Sequence, residues 1–177
     1  DVKGRIHSGC HAVPGRWILT GVQQAAGLSI QWLLENLGLY MDLRQDRPDQ
    51  DPYTVLTEQA AAIPPGSGGL IFLPYLTGER TPHLDPLARG VFFGIGMHHQ
   101  RAHFARAVFE GMAFAQRDAI ELLRELQVPT TCLVSAGGGG RSQLWRQILA
   151  DVTGLSVFAS DSGHGAAFGA ALLAGVG

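Results

Sequence analysis

Residues 131–154 limit the possible folds of this chain more than any other stretch. Residues 131–135 form a short apolar run of β-forming types, four consecutive glycines occupy 137–140, and Leu144, Ile148 and Val152 then recur at helical spacing. Gly154 stands where glycine is favoured just past a helix end. The predicted order is strand, glycine turn, helix over 141–153. Glycines lack a Cβ, so a ligand can come close to the backbone there. The free N–H groups of such a turn, and of the helix start behind it, suit an anion, most often a phosphate. A tight βα turn that binds nothing has the same pattern, and both readings stay open on these residues alone. Two familiar phosphate loops are excluded. No Gly-Lys-Ser/Thr follows the glycines, and Lys3 is the only lysine in the chain. Ser142 and Gln143 stand where a dinucleotide fingerprint would carry its last glycine. A nucleotide bound here would be held by backbone amides.

With 177 residues, 46% of them hydrophobic and 16% charged, the chain can bury a core and is not of the disordered class. No apolar run approaches the ~20 residues of a membrane helix. A net charge of −2 gives no electrostatic case for nucleic acid. Cys10 and Cys132 are not a closely spaced pair; they are expected to be buried small hydrophobes in a reducing, cytoplasmic setting. The chain opens at Asp1 with no signal-peptide pattern, and is expected to be a piece of a longer one.

In chain order, the apolar-rich runs 5–13 and 17–23 flank Pro14-Gly15-Arg16 and predict a hairpin. His7 and His11 share a strand face while Cys10 points the other way, which favours polar edge positions over a metal site. Residues 25–37 read as a helix stopped by Gly38; Gly27 opens its backbone to a neighbour, and Gln31 lies one turn on. Mixed charge around Pro48 marks 40–51 as a solvated connection, and 54–62 as a short alanine-rich helix. Residues 70–73 form a buried-strand candidate, and 74–90 a structured loop long enough to be functional. In that loop Glu79 and Arg80 either face a cleft or pair with each other. After a short apolar piece at 91–95, a long helix over 101–127 carries a stripe of Phe104, Val108, Met112, Ala115, Ala119, Leu122 and Leu126. Gly111 inside it costs about 1 kcal/mol relative to alanine, which predicts close packing at that point. His98, His99 and His103 are expected to be a polar helix entrance. A strand at 155–159, a glycine-containing turn at 161–165 and a helix of small residues at 166–174 end the chain. Antiparallel strands early and alternating β and α later predict an α/β layered domain with a mixed sheet.

Several of these segments together resemble the FGGY family of carbohydrate kinases, in their C-terminal domain. Residues 90–95, Gly-Val-Phe-Phe-Gly-Ile, followed after seven residues by 103–110, His-Phe-Ala-Arg-Ala-Val-Phe-Glu, are similar to the family's second signature. Residues 26–32, 72–75, 137–142 and 145–151 also look like family segments. Within the family, the Gly-Glu-Arg-Thr-Pro-His of 78–83 and the opening 7–14 are similar to the xylulokinase form; gluconate kinases carry similar loops. The resemblance implies an actin/hexokinase-like (ribonuclease H-like) domain with a mixed sheet flanked by helices, lacking its first strand. Residues 1–177 would be the C-terminal nucleotide-binding domain of a two-domain kinase, with ATP in the cleft between the domains. Mg²⁺ as cofactor, a sugar as substrate and a homodimer as assembly are expected. The implied reaction phosphorylates a ketopentose, D-xylulose to D-xylulose 5-phosphate, with gluconate or ribulose as alternative substrates. A non-catalytic actin-like nucleotide-binding module and a ligand-free structural domain are the other readings.

Carried over by position, Gly27 and Gln31 fall near the nucleotide, and Gly137, Gly138 and Gly139 along its phosphates and adenosine. Ser142 stands where some members place an adenine-contacting asparagine, with Gln143 as a substitute. The family's catalytic aspartate is expected upstream of residue 1. None of Asp118, Asp151, Asp161, Glu79 or Glu110 lies in the motif that would hold it.

Overall fold

The computed structural model of the chain describes residues 3–37, 47–160 and 165–176. It opens with the expected hairpin, β1 (His7–Cys10) against β2 (Trp17–Thr20), antiparallel with His7 opposite Thr20. The turn is closed by His11 N donating to Arg16 O at 3.1 Å, and Gly15 adopts φ +74°. His11 Nδ1 accepts from Val13 N at 2.9 Å, so the ring pins the turn. Helix α1 (Ala26–Asn36) buries Ser29, Ile30, Leu33 and Leu34, one stripe at helical spacing. The Gly38 stop and most of the charged connection lie outside the described residues.

Helix α2 (Pro52–Ala61) begins two residues before the alanine-rich pattern. Its start has a local cause. Asp51 Oδ2 accepts from Thr54 N at 3.0 Å, and Pro52 takes the first helical position, where its missing N–H goes unnoticed. A 3₁₀ turn (Ser67–Gly69) leads to β3 (Ile71–Leu73), which pairs antiparallel with β4 (Val91–Phe93). Helix α3 (Arg101–Glu125) follows. Then come β5 (Cys132–Ser135), α4 (Gly137–Arg141), α5 (Gln143–Thr153), β6 (Ser156–Ala159) and α6 (Gly165–Val176), with β6 parallel to β5. Among the described residues the strands form three two-stranded sheets. Antiparallel and parallel pairing are therefore both present, but distributed over separate pairs.

The core is organised on α3. Its Ala105, Val108, Phe109 and Met112 join Leu33 and Leu34 of α1, Val55 and Leu56 of α2, Phe72 of β3, and Ile148 and Leu149 of α5 in one buried cluster. Gly111 is where strand and helix meet most closely: a Cβ there would lie 2.2 Å from Phe72 O. The internal glycine thus permits an approach that any side chain would block.

Glu110 of α3 ties the preceding loop to the helix. Its carboxylate accepts from Arg106 Nε at 2.6 Å, Gly66 N at 3.0 Å and Ser67 Oγ at 3.0 Å. The three histidines form the entrance to α3. The rings of His98 and His99 lie 4.0 Å apart, and His103 Nδ1 accepts from Gln100 N at 3.1 Å in a reciprocal cap. No cluster of metal-ligating residues exists among the described residues. The cysteines are a correction. Both Cys10 and Cys132 are exposed, because each sits on a two-stranded sheet with one open face.

Candidate functional site

The glycine-rich segment departs from the predicted turn in detail. The glycines themselves coil into α4, and Ser142 separates that single turn from α5. Ser142 adopts an extended conformation and its Oγ accepts from Trp145 N at 3.2 Å, so it is the N-cap of α5. Its side chain is thereby committed to the backbone. Gly140 is buried against β5, where a Cβ would lie 2.5 Å from Ser135 O. Gly137 and Gly138 are open: nothing lies within 4 Å of a Cβ built on either.

That open side meets a cavity of about 770 Å³ between α2 and the α4–α5 segment. Gly138, Ser142 and Gln143 line it together with Tyr53, Thr57 and Arg141. The remaining predicted residues are elsewhere. Gly139 lines a cavity of about 280 Å³ beside Ser135 and Trp145. Gln31 lines one of about 310 Å³ with Leu28, Trp32 and Leu76, and its amide donates to Glu35 at 2.8 Å. Gly27 is exposed, with no atom within 4 Å of a Cβ position. Sequence reasoning missed Tyr53, Thr57 and Arg141. The Asp51-Pro52 pair was the available signal, since it marks the helix start that presents Tyr53 and Thr57.

Most polar side chains of the cavity already have partners. Thr54 Oγ1 bonds Asp51, Thr57 Oγ1 donates to Tyr53 O at 2.7 Å, Glu58 pairs with Arg47 at 2.7 Å, and Gln147 bonds Asp151. The Gln143 amide, the Arg141 guanidinium and the Tyr53 hydroxyl make no hydrogen bond within the described residues.

A second polar cluster surrounds the loop at 74–90. Glu79 is buried, and neither sequence reading of it holds. Its Oε1 accepts from the backbone N–H of Gln24 at 3.1 Å and of Arg80 at 2.7 Å, while Arg80 itself is exposed. Thr81 completes the junction, accepting from Val22 N at 2.9 Å and donating to Arg5 O at 2.8 Å. Nearby, Tyr75 Oη and His83 Nε2 are 3.1 Å apart. Burial raises the Tyr75 pKa, and the charges of Asp118 and Glu79 add to it. Asp118 is raised as well, by burial first, against the pull of His83 and Arg117. The loop thus clamps the segment leading into α1.

The segments that carry the resemblance fold together, and a family model agrees over nearly the whole length. The model of the FGGY family of carbohydrate kinases, C-terminal domain, matches residues 2–177. The chain belongs to that family. Over its full length this kinase-family domain is 36% identical to the xylulose kinase of Bacillus subtilis, covering 34% of that protein. Over 98% of its length it is 35% identical to the gluconokinase of the same organism, again covering 34%. The crystal structure of xylulose kinase from Rhodospirillum rubrum superposes with a TM-score of 0.77 at 32% identity, over 98% of this chain and 34% of that one. The domain therefore spans about a third of the length of these relatives. Its fold is the actin/hexokinase-like one expected. No helix among the described residues is long and apolar enough to cross a membrane.

Proposed function

We propose that this chain is the nucleotide-binding domain of an ATP-dependent sugar kinase whose full-length form phosphorylates D-xylulose to D-xylulose 5-phosphate. The observation that carries the reading is the side-chain-free wall at Gly138 on a cavity large enough for a nucleotide. Backbone amides of 137–139 would hold the phosphate end, with the Arg141 guanidinium as the one basic side chain on the cavity among the described residues. ATP, when bound, supplies the transferable phosphoryl group, and Mg²⁺ would arrive on its phosphates, offsetting their charge. Gly27 and Gln31 belong to the proposed site by position in the family motif, although Gly27 is exposed and Gln31 lines a different cavity in this structure.

Three of the carboxylates named above are engaged in the fold, and none lies in the family motif that would hold the base. Glu79 holds two backbone N–H groups, Glu110 holds Arg106, and Asp151 holds the Gln147 amide. The proton acceptor for the sugar hydroxyl is therefore proposed to come from outside these residues. D-Xylulose is favoured by the 78–83 loop and by xylulose kinases among the relatives; gluconate is the second reading, supported by the gluconokinase at nearly equal identity. The test is ADP release by the full-length protein with D-xylulose, D-ribulose, L-ribulose, gluconate and glycerol. Preferential turnover of D-xylulose is expected. Preferential turnover of gluconate transfers the assignment to that sugar, and binding of MgADP without turnover of any sugar points to a non-catalytic module.

A further inference from the structure

Phosphate binding beside Gly138 leaves the Tyr53 ring on the same cavity unused. Tyr53 lies in the first turn of α2 and is 44% exposed, a large aromatic ring left on the wall of an open cavity. Its backbone is fixed from both sides, by the Asp51 cap and by Thr57 Oγ1 donating to Tyr53 O at 2.7 Å. On the same cavity Gly138 presents bare backbone, and Gln143 an amide with no partner among the described residues. A flat aromatic face and a free amide together suit a nucleobase. Bases stack on aromatic rings whatever their sequence, and an amide matches the adjacent donor and acceptor on the edge of adenine.

We propose that Tyr53 is the platform on which the purine of the nucleotide stacks, beside the Gln143 that family position already sets at the base. This rests on the reading of the cavity as the ATP site, and adds to it a base-specificity element on α2. Neither residue takes part in phosphoryl transfer. Their contribution is to the affinity and choice of nucleotide.

Calorimetric titration of the full-length protein with MgADP, MgGDP and magnesium pyrophosphate tests this, with melting curves to confirm that each variant is folded. Tyr53→Ala is expected to raise the Kd for MgADP about ten-fold or more while leaving that for pyrophosphate unchanged, and Tyr53→Phe to stay within about two-fold of the parent. Gln143→Ala is expected to narrow the preference for MgADP over MgGDP. An unchanged MgADP affinity in Tyr53→Ala overturns the proposal, as does an equal loss for pyrophosphate or a shift confined to the sugar KM. If the parent protein itself takes no MgADP, the ATP reading falls and this proposal with it; if the parent binds and Tyr53→Ala matches it, only the stacking role is lost.

Discussion

Three glycines stand in two different settings, two against a strand backbone and one on open space. Gly111 lets α3 touch the backbone of β3, Gly140 lets α4 touch β5, and Gly138 faces open space. The consequences of adding a side chain differ accordingly. Gly111→Ala forces a methyl into Phe72 O, a backbone atom that cannot rotate away, and is expected to destabilise by about 3 kcal/mol in urea unfolding. The Cβ of Gly138→Val has no packed neighbour within 4 Å, so its melting temperature should stay near the parent's while the KM for ATP rises more than the KM for sugar. An unchanged ATP dependence would remove Gly138 from the site. Ser142 teaches a related lesson. A hydroxyl that looked available to a ligand is the cap of α5, whereas the neighbouring Gln143 amide makes no hydrogen bond within the described residues.

Between elements, a few polar residues decide how the loops attach to α3 and α1. Arg106 and Glu110 lie one turn apart on α3 and are nearly sealed from solvent, at 7% and 12% exposure. Glu110→Ala would leave the Arg106 guanidinium buried without its partner and free Gly66 and Ser67 from the helix. A loss of about 3–5 kcal/mol is expected. Replacing both members by apolar residues of similar volume should recover part of it, and a double variant no better than Glu110→Ala would refute that account. Thr81 performs the corresponding task for the 74–90 loop. Thr81→Val removes the hydroxyl shared by Val22 N and Arg5 O, with an expected cost of about 1–3 kcal/mol in the same measurement.

Across the molecule, stability should depend on pH through Asp118. Its folded pKa is raised, chiefly by burial, so its contribution to stability is full below the ordinary aspartate range and is lost as pH rises through the raised value. At neutral pH the folded chain therefore carries a penalty, kept small because the residue remains exposed overall. Asp118→Asn is expected to melt higher than the parent at pH 7, and the gap should close as pH is lowered toward about 4. A gap independent of pH would show that the carboxylate charge is not its cause.

The periodicities were enough to place most elements: the α3 stripe, the hairpin around Pro14-Gly15, and the strand–glycine–helix order are local patterns, and local patterns survive in one dimension. Gly111 could be read as a contact point for the same reason, since a helix tolerates an internal glycine at a cost only when something presses on it. What lay on the other side of each contact was not local. That Glu79 turns inward to the N–H groups of Gln24 and Arg80, that both cysteines stay exposed, and that Tyr53 of α2 shares a cavity with Gly138 of α4 all depend on which distant segments the packing of α3 brings together. Short-range backbone preferences determined the pieces; burial of one common core decided which residues share a site.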